Sequence, residues 1–82
     1  MAKTEHFSKL NNPTTQSEFS RGFINENELC YQVTVKPASG NISFTMKKNS
    51  SGHWGIQDRT HLPPWVINLE PEFIRAIKEN EA

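Results

Sequence analysis

Eighty-two residues with a hydrophobic fraction of 34% and nine basic against nine acidic side chains allow one small domain and exclude the strong positive field of a typical nucleic-acid protein. A single cysteine, Cys30, excludes an internal disulfide framework. Trp65-Val66-Ile67 is the longest apolar run and falls far short of the ~20 residues of a membrane span; with no apolar run after Met1 to act as a signal peptide and no lipidation motif, a cytoplasmic location without membrane contact is expected.

Residues 1–24 hold few large apolar side chains, among them Phe7, Leu10, Phe19 and Phe23. Too little can be buried there to offset the entropy of ordering, so a flexible N-terminal arm is expected, followed by an α+β domain over residues 25–82. Asn11-Asn12-Pro13-Thr14-Thr15 has turn composition. Thr15-Gln16-Ser17-Glu18 matches a helix capping box, although Gly22 weakens any helix that follows. Asn25-Glu26-Asn27-Glu28 is polar and unperiodic and marks the boundary.

From Leu29 to Ile56 apolar residues recur at every second position, the period of half-buried strands. The first predicted strand, Leu29 to Lys36, places Leu29, Tyr31, Val33 and Val35 on one face and Cys30, Gln32, Thr34 and Lys36 on the other. Pro37 ends it, and Ala38-Ser39-Gly40-Asn41 makes a turn. The second strand, Ile42 to Lys48, turns Ile42, Phe44 and Met46 inward and Ser43, Thr45 and Lys47 outward. Asn49-Ser50-Ser51-Gly52 is a second turn, and His53 to Gln57 a third strand with Trp54 and Ile56 inward. Short connections between such strands give an antiparallel meander.

After Pro63-Pro64 the apolar period lengthens to that of a one-sided helix, with Leu62, Trp65 or Val66, Leu69, Phe73 and Ile77 in the stripe. Pro71 fits only a first turn, so the regular helix is predicted from about Asn68–Glu70 to Asn80, with Asn68 as N-cap. Glu70 and Glu72 then favour the positive end of the helix dipole, and residues 62–67 form an irregular or single-turn segment.

Chemistry-bearing constellations are sparse. Cys30, His53, His61 and Asp58 have permissible types for a metal but no ligand spacing, and Cys30 and His53 fall two strands, roughly 10 Å, apart. No nucleophile elbow surrounds Cys30 or any serine, and Glu70 and Glu72, two apart on a helix, do not face each other. No enzymatic activity, cofactor or metal is therefore expected.

The expected fold is a three-stranded antiparallel meander with a C-terminal helix on one face. The helix leaves the other sheet face uncovered. A non-enzymatic protein-interaction module follows, an adaptor, regulator or inhibitor that binds a protein through the open polar face, an edge strand and the arm, as a monomer or weak homodimer. The expected contact residues are Gln32, Thr34, Lys36, Thr45, Lys47, Lys48 and Arg59. The alternative is single-stranded nucleic acid on the mildly basic sheet, but Tyr31, Phe44 and Trp54, which would stack bases, carry the inward parity.

Overall fold

The computed structural model describes residues 4–12, 15–23, 28–37 and 40–82. Five strands, β1 (His6–Asn12), β2 (Thr15–Phe23), β3 (Leu29–Lys36), β4 (Ile42–Lys48) and β5 (Trp54–Ile56), precede a single-turn α1 (Pro64–Ile67) and a longer α2 (Glu70–Glu81). The strands form one antiparallel sheet in the order β1-β2-β3-β4-β5. The α+β class, the antiparallel sheet and the C-terminal helix agree with the sequence reading; the strand count does not. Within the stretch expected as an arm, β1 and β2 pair with each other, and β2 pairs with β3 from Gln16↔Lys36 to Phe23↔Leu29. The capping box at Thr15–Glu18 starts a strand, not a helix.

The physical reason lies in what β2 buries. Its helix-side positions are Thr15, Ser17, Phe19, Arg21 and Phe23, of which Phe19 is the one buried apolar side chain, Phe23 being exposed. Thr15 and Ser17 are nevertheless buried, and small hydroxyl side chains suit a tightly covered strand when their polar atoms are satisfied. Among the described residues, no buried side-chain nitrogen or oxygen lacks a hydrogen-bond partner. Phe7 of β1 stacks on Phe19, its register partner, with centroids 4.8 Å apart. Phe19 in turn meets Phe73 of α2 edge-on.

The core forms on one face of the sheet. Tyr31, Val33, Val35, Phe44, Met46, Trp54 and Ile56 come from the strands. Leu62, Val66, Phe73, Ala76 and Ile77 cover them from the helical layer, and Leu69 packs at the margin. In the 62–67 segment Val66 is buried, whereas Trp65 is 38% exposed. At the start of α2, Leu69 and not Asn68 occupies the N-cap, with no side-chain cap. Pro71 lies in the first turn, where an N–H would have no helical acceptor.

The turns follow their local chemistry. Asn49 N–H donates to the His53 carbonyl, and Asn49 Oδ1 accepts from the N–H groups of Ser51 and His53. Gly52 closes this turn at φ +86°, a conformation costly for other residues. The expected turn residues Pro13, Thr14, Ala38 and Ser39, and Ile24 and Asn25–Asn27 of the expected boundary, lie outside the described residues.

Arg21, Tyr31, Asn80 and Glu81 tie the N-terminal strands to the end of α2. Arg21 Nε donates to Glu81 Oε2 at 2.6 Å, and the Tyr31 hydroxyl donates to the same carboxylate. Asn80 Nδ2 donates to the Tyr31 oxygen and to the Thr4 carbonyl, while Thr4 N–H donates to Asn80 Oδ1. Burial, then the hydrogen bond to Glu81, pushes the Tyr31 phenol up to about 12. The Glu81 hydrogen bond likewise raises the Arg21 guanidinium above its ordinary value.

Candidate interaction face

With side chains alternating along each strand, the face opposite the helices carries cross-strand rows. One runs His6–Ser20–Gln32–Thr45 and the next Ser8–Glu18–Thr34–Ser43. A third contains Leu10, Gln16 and Lys36, and a fourth Gly22, Cys30, Lys47 and Gly55. Among the described residues, these rows carry polar side chains apart from Leu10, Cys30, Gly22 and Gly55.

Several of its groups bond to one another. The Thr45 hydroxyl donates to Gln32 Oε1 at 2.9 Å, Thr34 and Ser43 share a hydrogen bond of 3.0 Å, and His6 Nδ1 and Ser20 Oγ one of 2.9 Å. Lys36 Nζ donates to Glu18 Oε2 at 2.6 Å. That bond, helped by the charge of Lys36, holds the Glu18 carboxyl below its ordinary value. Lys47 pairs with Glu28 at 3.2 Å. The described part of this surface is therefore internally hydrogen-bonded and carries paired opposite charges.

Gln32, Thr34, Lys36, Thr45 and Lys47 share this open face. Lys48 and Arg59 stand apart from it. Lys48 has the inward parity, pairs in register with Trp54 and places Nζ 5.7 Å from the Trp54 ring centroid. Arg59, beyond β5, donates to both oxygens of Glu70 at 2.8 and 2.6 Å. Glu70 Oε2 also accepts from the Ile56 N–H at the outer edge of β5, so this residue seals an edge as well as favouring the helix dipole.

Strand pairing of the N-terminal segment adds His6, Ser8, Gln16, Glu18 and Ser20 to the face, residues the sequence reading left in the arm. The signal that finds them is the alternation Thr15-x-Ser17-x-Phe19, weak because two of its three inward members are hydroxyl residues.

Tyr31, Phe44 and Trp54 are at most 6% exposed, and all three lie in the core against α2 or one another. Among the described residues, the open face thus presents no Phe, Tyr or Trp ring on which bases could stack. A polar hollow of about 440 Å³ beside the β4–β5 turn is lined by Lys47, Lys48, His53, Gln57 and Arg59 among others, but Lys47 and Arg59 already have carboxylate partners. Among the described residues, no three His, Cys, Asp or Glu side chains cluster as a metal site, and no helix is long and apolar enough to cross a membrane. No protein-family model, curated protein or solved structure matches the chain.

Proposed function

We propose that the chain is a non-enzymatic protein-interaction module, an adaptor, regulator or inhibitor, whose contact surface is the polar sheet face around Gln32, Thr45 and Lys47, continued toward β1 at the sheet edge. The observation that carries this reading is the one-sided layering. The helices cover one face, and the opposite face presents hydrogen-bonded polar rows with matched charges. Such a face can exchange its exposed polar contacts for those of a partner without unfolding the core beneath it. A cytoplasmic site of action fits the lone, unpaired Cys30.

The test is affinity capture from native cell extract with the wild-type chain, a Gln32→Ala/Thr45→Ala/Lys47→Ala variant and a Lys78→Ala control on α2. The reading requires a partner held by wild type and control and weakened about tenfold or more by the triple variant, a loss of at least ~1.4 kcal/mol. Equal capture by all three forms overturns it. Nucleic-acid binding at the same face would instead appear as salt-dependent fluorescence anisotropy with short single strands.

A further inference from the structure

The two edges of the sheet are finished differently. Backbone N–H and C=O groups of a strand residue point to the same side, so alternate residues serve alternate neighbours. Arg21 N–H donates to the Glu5 carbonyl, which makes Glu5↔Arg21 a hydrogen-bonded pair. By alternation Phe7 and Lys9 also direct their backbone groups to β2, while His6, Ser8 and Leu10 direct theirs outward. At the opposite edge the outward N–H of Ile56 is taken by Glu70, and just before β1 both backbone groups of Thr4 are taken by Asn80. Among the described residues, no hydrogen bond reaches the outward backbone groups of His6, Ser8 and Leu10. A register irregularity between Leu10 and Asn12 closes this free stretch on its far side.

We propose that this free edge, residues 5–10, is a homodimerisation site, and that its occupant is β1 of a second copy of the chain, antiparallel about a two-fold axis through Phe7. In that register His6 lies opposite the partner's Ser8 in a hydrogen-bonded pair, and Phe7 lies opposite its own copy. Glu5 lies opposite Lys9 of the second chain, twice over. This charge complementarity selects the occupant. A lysine on an edge strand ordinarily discourages strand addition, but here the axis places a carboxylate against it. Centring the axis on Ser8 instead sets Phe7 against Lys9 and loses both ion pairs. Glu5 and Lys9 are available for the exchange. Their present partners are held loosely, Arg21 at 4.0 Å and Glu79 at 3.7 Å, with the Glu5 side chain 76% exposed.

The axis runs perpendicular to the sheet, so both helical layers lie on one side and the two polar faces merge into one. The proposal rests on the edge component of the function given above and assigns that edge to the chain itself, leaving a foreign partner to the face.

Sedimentation equilibrium of the full chain up to about 1 mM, the range of weak complexes, tests it. A rise toward twice the 9.4 kDa chain mass is expected. Ser8→Pro removes an outward N–H that β2 does not use and abolishes the dimer while leaving the circular dichroism intact. Glu5→Lys or Lys9→Glu alone weakens association about tenfold by facing like charges twice, and the two together restore it. A monomer at every concentration overturns the proposal, as does a dimer indifferent to the charge exchange, whatever Ser8→Pro does to folding. Gln32→Ala/Thr45→Ala/Lys47→Ala leaves the dimer mass unchanged, which separates the edge from the face.

Discussion

Tyr31 is the residue whose two ends do different work. Its ring is fully buried and meets Trp54 edge-on at 5.4 Å, while its hydroxyl joins Glu81 and Asn80. Tyr31→Phe keeps the ring and removes a hydrogen bond to a charged acceptor, so a loss of about 1.5–3 kcal/mol is expected by urea denaturation. The pH dependence has a definite sign. The folded phenol titrates at about 12, above its ordinary value of 10.0. Its contribution to stability is therefore complete below pH 10 and disappears as the pH rises through about 12. Wild type should lose stability over that window more steeply than Tyr31→Phe, which lacks the titrating group. Phe19→Ala should cost about 3–5 kcal/mol, because it empties a site between Phe7 and Phe73 in a small core.

At the scale of elements, β1 and β2 make the sharpest prediction. Amide hydrogen exchange should show Phe7 and Lys9 protected and His6 and Ser8 fast at low protein concentration, an alternation that only a one-sided ladder produces. Uniformly fast exchange from Glu5 to Phe23 would return the segment to the loose arm that its composition suggests. The strands from Leu29 to Ile56 are legible because their inward positions are apolar up to Met46 and mostly β-branched or aromatic, and the same parity places Gln32, Thr34, Thr45 and Lys47. The first hairpin was hidden because Glu5, Lys9, Ser17 and Arg21 occupy helix-facing positions there. Lys9 pairs with Glu79 and Arg21 with Glu81 of α2, and no local pattern announces partners 70 and 60 residues away. Glu70 does sit in the first turn as expected, but its further partners are hidden for a related reason. Helix position alone offers it the dipole, whereas the fold brings Ile56 and Arg59 within reach.

For the whole molecule, the two faces of the sheet differ in where the aromatic rings lie. Every Phe, Tyr and Trp ring packs in or against the core except the peripheral Phe23 and Trp65, which are not part of the polar rows. Short single-stranded oligonucleotides should therefore give flat anisotropy titrations at low and high salt. A salt-dependent rise that Lys36→Ala and Lys47→Ala diminish would reassign the face to nucleic acid.

The bonds from Arg21 and Tyr31 to Glu81 also set a timetable for synthesis. Glu81, which holds Arg21 at 2.6 Å, is translated 60 residues after it, a delay of roughly 3–12 s at ordinary elongation rates. During that interval the nascent hairpin lacks its bonds to Glu81, and the rings of Phe7 and Phe19 wait for Phe73 to cover them.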